Sequence, residues 1–564
     1  MAASKQFAGC LDDDPSAELA AYLDAVARHV IPFVREWWTG GGEHPGRPIP
    51  AVEDIAAVRR GIVARASVEA LEEPYHGLPM LLESLARSIR FNRRNFVNIH
   101  PSPFMPSILA SMVTAIQNPN NILEDMSPAT WGMERDCIEW LATNLLGLPA
   151  ETAWGNIVSG GTLANMTAML VARDRAYEGT QPGRYGFVRS RGFSGMAPGT
   201  VLATSGTHFS LDKALWVLGL GSDNLLRVPV CFDECLQRRS LAYNACVISI
   251  SRSDWQDQYL EALKDDRARG CRELDAFYGG EHSPFSLQPL TSGFLKPLYT
   301  SGESQPRVIA CVLTMGTTDT GTIEQLDAST AQALQDQDVY VHIDAASGGF
   351  AALCQSSPQT AELVATADSF TIDGHKSGLL HYPCSAIVFK DRRGVQYLQQ
   401  EAPSFGPLAP TLEGSRAGGG AALWYALKTL GPAGYRDRVS RLLDFSQALS
   451  RSIIASGLYQ ILHRVDLNII SIAPRAAGNE TREQLNGYVR QVWKMIKEDG
   501  EFLINMNRSL CGIKVRKRVG VDDEELADIE CLRIVVANPT VQGDDACRLT
   551  EKLERFLRAA REAA

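Results

Sequence analysis

The chain has 564 residues, more than one hydrophobic core ordinarily organises, so two or more domains are expected. With 45% hydrophobic residues, 21% charged residues and a formal net charge of -10, it reads as an ordinary globular protein without the basic face that nucleic-acid binding needs. No apolar run approaches the length of about eighteen residues expected of a membrane span, and acids appear by Asp12 without one, so no signal peptide is expected. The twelve cysteines lack metal-ligand spacing. Even the nearest pair, Cys231 and Cys235, has no suitably spaced partners, which favours reduced thiols in a cytoplasmic protein and no metal site.

In chain order, residues 17–38 carry Leu19, Tyr22, Leu23, Val26, Ala27, Val30 and Phe33 at helical spacing. The Gly/Pro-rich stretch 40–50 is a loop, and helices are expected over 52–70 and 78–89. Residues 96–103, F-V-N-I-H-P-S-P, are polar and aromatic, with His100 readable as a turn histidine. A helix is expected over 131–146.

From residue 157 onward strands and helices alternate. Residues 157–159 enter Gly160-Gly161, and Thr162 begins a helical run over 163–177. Backbone N–H groups at such a start, with the Ser159 and Thr162 hydroxyls, make a nest for phosphate, although a plain capped helix uses the same residues. Residues 201–204 read as a strand leading to His208, which could cap the helix beginning near Leu211. The stretch 254–281 is polar, helix then loop, and 282–293 reads as an irregular insertion. Residues 307–314 form a strand ending in M-G-T-T-D-T-G-T, followed by a helix over 327–335, and 385–389 form another strand. This alternation predicts a mostly parallel sheet with helices on both faces.

Inside that pattern lie V-Y-V-H-I-D-A-A-S-G-G-F at 339–350 and S-F-T-I-D-G-H-K at 369–376. Each reads as a short buried strand running into polar residues, the first delivering Asp344 and the second Lys376. In a parallel sheet both emerge at the carboxyl edge, where such sheets bind ligands. An amine that condenses with an aldehyde and a carboxylate that keeps a pyridine nitrogen protonated suit pyridoxal phosphate. Taken singly, Asp344 could be a helix cap and Lys376 a surface residue. With His342, His375, Gly348 and Gly349 they make a polar strand exit that is costly to bury without a ligand. Thr317 and Thr318 fall at the same rim.

Residues 401–414 are a candidate lid or subunit-crossing loop, and Gly414-Ser415-Arg416 precedes a helix over 421–430. Beyond Gly431-Pro432, helices at 435–456, 481–498 and 545–560 and strands near 467–473 and 532–537 suggest a smaller α/β domain. Arg533 there fits a structural ion pair or a substrate contact.

The segments S-G-G-T-L-A-N (159–165), H-F-S-L-D-K-A (208–214), H-I-D-A-A (342–346), D-G-H-K (373–376) and L-R-I-V-V-A-N-P-T (532–540) together resemble the group II pyridoxal-phosphate-dependent amino-acid decarboxylases. The likeness is nearest to the tyrosine/aspartate decarboxylase-like members and covers most of the chain. It implies fold type I, an α/β architecture of the PLP-dependent transferase type. A mostly parallel seven-stranded sheet in a large domain (131–430) would be joined by a small C-terminal α/β domain (431–564) and a helical N-terminal region (1–130) that wraps a partner subunit. The expected catalytic residues are Lys376, His208 and Asp344, with His208 stacked over the cofactor ring. Further cofactor contacts are implied for Ser159, Gly160, Gly161, Thr162, Thr317, Ala346 and His375, with Ser415 reaching the phosphate across a homodimer. His100, Asn120 and Phe405 are the implied substrate-pocket residues.

The implied reaction is loss of carbon dioxide from an L-amino acid to give an amine, with an aromatic, tyrosine-like substrate favoured. Aspartate, giving β-alanine, is the alternative, because Arg93, Arg94 or Arg416 could bind a second carboxylate. A carbon–carbon lyase, a decarboxylation-dependent oxidative deaminase and a cofactor-free interaction scaffold are further alternatives. One departure concerns the lid. Related enzymes commonly place a proton-donating Tyr there, whereas this chain has Ser404 beside Phe405, and Tyr397 lies earlier on an expected helix.

Overall fold

The computed structural model describes residues 23–39, 78–86, 92–178, 187–193, 198–204, 206–228, 308–324, 326, 328–354, 358–463, 465–478, 480–508, 514–518, 524–528 and 530–564. The expected loop at 40–50, the helix at 52–70 and the segments 254–281 and 282–293 lie outside the described residues. Two compact units are present: Met1–Asn95 with Ile496–Leu503, and Phe96–Met495 with Ile504–Ala564. Within the first, helices Ile31–Thr39 and Leu78–Ala86 are described. There Arg94 pairs with Glu501 at 3.2 Å, its guanidinium lying over the Phe502 ring.

The second unit opens with helix α1 (Met105–Gln117), which has a proline in its first turn and ends at Asn118 in the left-handed region (φ 52°). Its Leu109, Met112, Val113 and Ile116 recur at helical spacing and are all exposed. Then come α2 (Pro128–Trp140), β1 (Trp154–Val158), α3 (Gly161–Glu178), β2 (Thr200–Thr204), α4 (Ser210–Val217), β3 (Leu225–Val228) and β4 (Val308–Thr314). They are followed by α5 (Ala328–Asp336), β5 (Tyr340–Asp344), α6 (Pro358–Thr366), β6 (Ser369–Asp373) and β7 (Ser385–Phe389).

These seven strands form one sheet in the order β1-β7-β6-β5-β4-β2-β3. Only β7 opposes its neighbours; the rest run the same way. The sheet is therefore mixed but mostly parallel, and it is covered on both faces. Period-two alternation divides its side chains. Cys311, Leu313, Val341, Ile343, Phe370 and Ile372 enter one core with α2 and with Leu423, Ala426 and Leu427. Ala310, Val312, Ile387 and Phe389 enter the other, under Ala164, Ala168 and Met169 of α3 and Leu211 and Leu215 of α4.

Helix α7 runs over Gly420–Ala455, spanning the two helices expected on either side of Gly431-Pro432. The break is present as a kink in one element: Gly431 has φ 59° and ψ 179°, and Pro432 follows inside the helix. Strands β8 (Tyr459–Ile461), β9 (Ile469–Pro474), β10 (Leu503–Asn507) and β11 (Cys531–Val535), with helices α8 (Arg482–Asp499) and α9 (Gly543–Glu562), follow. The strands lie antiparallel in the order β10-β11-β9-β8, a second and smaller sheet. Among the described residues no helix is long and apolar enough to cross a membrane.

Candidate active site

The alternation that sends Val341, Ile343, Phe370 and Ile372 into one core turns His342, Asp344, Ser369, Thr371 and Asp373 toward α3. These five polar residues are buried, and Asn165, one turn into α3, bonds three of them. Its Nδ2 donates to Asp344 Oδ2 and to Ser210 Oγ, each at 2.8 Å. Its Oδ1 accepts from the Thr371 hydroxyl at 2.6 Å and from His342 Nε2 at 3.0 Å. The second oxygen of Asp344 accepts from the Ala346 N–H at 3.1 Å. Burial pushes His342 down to about 4 against the opposing pull of Asp344, so the ring is neutral and Nδ1 accepts from Ser369 Oγ at 2.8 Å. The Asp344 carboxylate is thus fixed at both oxygens.

Lys376 follows β6 by three residues, and its amine lies 3.0 Å from Asp373 Oδ2. Burial alone would lower the lysine's pKa, but Asp373 and then Asp344 more than offset this and hold it above its ordinary value. Asp373 shows the converse. Burial would raise it, yet Lys376, His375 and Ser385 bring it to about 2. Ser385 Oγ donates to Asp373 Oδ1 at 2.6 Å, and His375 Nε2 lies 3.3 Å from Oδ2. His375 Nδ1 donates to the Cys384 carbonyl at 2.7 Å, which locks that ring.

His208 is half-buried just ahead of α4, with its Nδ1 accepting from the Ser210 N–H at 3.3 Å. Burial lowers its pKa; Asp344 opposes this and Lys376 adds to it. The cap-like bond and the placement beside both charged groups coexist. His100 is also lowered, by burial first and then by His375 and Lys376, so it too belongs to this cluster.

The glycine pair opens α3. A Cβ at Gly161 would meet Asp373 Oδ1 at 2.8 Å, so this glycine permits the close approach of strand end and helix start. A Cβ at Gly160 would meet nothing within 4 Å, and Ser159 is exposed. Gly161 and Asn165 are four residues apart, about 6 Å along the helix. Ser415 and Asn120 are adjacent, Asn120 Nδ2 donating to Ser415 Oγ at 3.1 Å. Next to them the buried Arg416 donates to Glu134 and to the Ile157 carbonyl, two residues before Ser159.

Other expected residues have different surroundings. The Thr317 hydroxyl is engaged inside its own turn, 2.6 Å from Thr320 Oγ1 and accepting from the Thr322 N–H at 3.2 Å. Phe405 is 58% exposed at the tip of a two-residue hairpin, Glu401–Ala402 against Gly406–Pro407, and Ser404 beside it is exposed. Tyr397 lies on Val395–Leu398, away from that tip, with its hydroxyl donating to Glu178. Arg533 donates to the Thr318 carbonyl. Sequence reasoning did not single out Asn165, Asp373 or Tyr382 as site residues. The alternation of S-F-T-I-D and V-H-I-D could have marked a polar stripe needing a partner from α3. No local signal marks Tyr382, whose ring stacks on His375 with centroids 3.9 Å apart.

Residues 301–473 match a family described as the pyridoxal-dependent decarboxylase conserved domain. A "Probable L-tyrosine/L-aspartate decarboxylase" of Methanothermobacter thermautotrophicus is 30% identical over 350 residues, covering 60% of this chain and 74% of the relative. The chain belongs to the pyridoxal-dependent decarboxylase family. An aspartate 1-decarboxylase of Aliivibrio fischeri is 23% identical over 498 residues, 81% of this chain and 79% of the relative. In fold, this decarboxylase is similar to the structure of Oryza sativa TDC with PLP and tryptamine, with a TM-score of 0.72 and 16% identity, covering 97% of this chain and 99% of that one. The architecture is fold type I, and the protein is a pyridoxal-phosphate-dependent carboxy-lyase acting on an amino acid.

The residues present fit that cofactor. An open, hydroxyl-flanked helix start suits a phosphate. A carboxylate fixed at both oxygens, one of them by Asn165 one helical turn along α3, suits a pyridine nitrogen, and Lys376, 17% exposed, offers an amine.

Proposed function

We propose that this decarboxylase converts an aromatic, tyrosine-like L-amino acid to its amine and carbon dioxide. The observation that carries the reading is the set of rings around Lys376: His100, His375 and Tyr382 form one contact cluster beside the amine. Of the arginines considered for a second substrate carboxylate, Arg94 pairs with Glu501 and Arg416 with Glu134. Aspartate is the second reading. It is favoured by the Nε and Nη2 of Arg416, which have no hydrogen-bond partner although the side chain is only 7% exposed. The Methanothermobacter relative's name carries both amino acids.

When bound, pyridoxal phosphate supplies an aldehyde that captures amines and a pyridinium ring that takes up the electron pair left as carbon dioxide departs. Asp344 holds the proton on the pyridine nitrogen, its own oxygens fixed by Asn165 and Ala346. Lys376 is the amine that holds the aldehyde between turnovers, and Asp373 orients it. His208, beside Asp344 and Lys376, would pack against the ring face of the bound cofactor. The N–H groups and hydroxyls of Ser159, Gly160, Gly161 and Thr162 take the phosphate, with Arg416 behind the cradle at the Ile157 carbonyl.

A homodimer completes the site in this reading, with Ser415 serving the neighbouring phosphate, and the exposed apolar face of α1 supports it. The test is an amino-acid panel supplied to cofactor-loaded protein over a dilution series, with carbon dioxide and amine measured. L-Tyrosine or a similar aromatic should be turned over at least about tenfold faster than aspartate, a difference of about 1.4 kcal/mol. Preference for aspartate replaces the first reading with the second. Activity per mole should fall as the dimer dissociates, and an undiminished monomer removes the shared site.

A further inference from the structure

We propose that Tyr382 delivers the proton that replaces the carboxylate on the substrate's α-carbon. The proposal rests on the decarboxylation reading above and assigns it a further residue. Loss of carbon dioxide breaks the bond between Cα and the carboxylate and leaves the electron pair behind. The amine is complete only when a new C–H bond forms at that carbon, so a donor must stand within reach of it.

Tyr382 is held by rings on two sides. Its face lies on His375, with centroids 3.9 Å apart and planes at 30°. The His100 ring meets it edge-on at 5.2 Å and 79°. His375 is itself locked by the Cys384 carbonyl, so the surface behind the phenol is fixed. The charged groups facing Tyr382 are Lys376 and Asp373. Burial and Asp373 raise the phenol above its ordinary value and Lys376 only partly opposes them, which keeps the hydroxyl protonated through the neutral range, the form a donor needs.

The competing groups are less suited. The Lys376 ammonium is engaged with Asp373, and His208, its pKa lowered, is neutral near pH 7. The exposed hairpin tip presents Ser404 and Phe405, neither of which is an acid of useful strength. In the step proposed, the Tyr382 O–H bond breaks as the Cα–H bond forms. The phenolate is stabilised beside Lys376 and recovers a proton from water, Tyr382 being 53% exposed. One solvent proton is consumed for each amine, and no oxidant is needed.

The experiment compares wild type with Tyr382→Phe, which keeps the ring stack, in cofactor-loaded protein in heavy water. Wild type should give one amine per carbon dioxide, with one deuterium at Cα in a single configuration. In the variant, supplied with excess pyridoxal phosphate because each aldehyde formed converts one cofactor to its pyridoxamine form, carbon dioxide release should continue while amine per carbon dioxide falls by at least about tenfold. Aldehyde should make up the difference, its nitrogen retained on the cofactor, and the remaining amine should carry deuterium in both configurations. Either change supports the proposal. An unchanged ratio and configuration overturn it while leaving decarboxylation standing, whereas a wild type that releases no carbon dioxide overturns both.

A second reading needs neither cofactor nor turnover, nor the phenylalanine variant. In cofactor-free protein, Lys376→Met removes the cation beside the phenol, so one tyrosine's worth of tyrosinate absorbance should appear at higher pH than in wild type. Superimposable titrations mean that the phenol does not stand beside that amine, and they overturn the assignment.

Discussion

At Asn165 a single side-chain amide satisfies Asp344, Ser210, Thr371 and His342, all of them buried. Leaving any one unpaired would cost about 1–3 kcal/mol, so the same residue that steadies the Asp344 carboxylate also holds β5, β6 and α4 against α3. His342 makes this cluster acid-sensitive. The unfolded chain takes up a proton near pH 6.5, whereas the folded ring does so only near 4. Protons therefore favour unfolding in that window, and stability is lost as the pH falls from 6.5 toward 4. The loss is about 3 kcal/mol from this one group. Denaturant unfolding at successive pH values should show His342→Gln losing correspondingly less than wild type, and parallel curves would contradict the account. Asp344 and Lys376 were legible in the sequence because each ends or follows a strand whose apolar run stops abruptly. Asn165 and Tyr382 were not, since what they do depends on side chains 179 residues away for the first and on two histidines for the second.

Among the elements, α7 carries its break where the sequence pattern puts it. Gly431-Pro432 reads as the end of one helix and the approach to another, and the chain kinks there, at a single residue with φ 59° and ψ 179°. That region of backbone space is open essentially to glycine alone. Since a Cβ at 431 would meet nothing within 4 Å, Gly431→Ala isolates backbone strain from crowding. It should destabilise by about 1–3 kcal/mol. Gly487→Ala on α8, also in open space, should instead stabilise by about 0.5–1 kcal/mol. Chemical denaturation of both variants checks the pair, and equal effects would refute the strain argument. The central strands were legible because burial on both faces leaves continuous apolar runs. The edge strand Leu225–Val228 and the short Tyr459–Ile461 were missed, because four and three residues are too few to display a period.

On the scale of the whole molecule, a mostly parallel sheet brings residues from distant parts of the chain to one rim: the start of α3, the end of β5, and the turn after β6. The order of motifs along the chain made this architecture readable in advance. Substrate choice was less readable, because a pocket wall is assembled from loops and, in our proposal, from a second subunit, neither of which carries a periodic signature. Everything assigned to the site requires that the cofactor be held by one particular amine. Borohydride reduction of the cofactor-loaded protein, followed by peptide mass mapping, tests this directly. The account predicts one pyridoxyl group per chain, on the peptide containing Lys376, and none in Lys376→Ala. A label fixed to any other lysine, or no label on a protein that still decarboxylates, would contradict it.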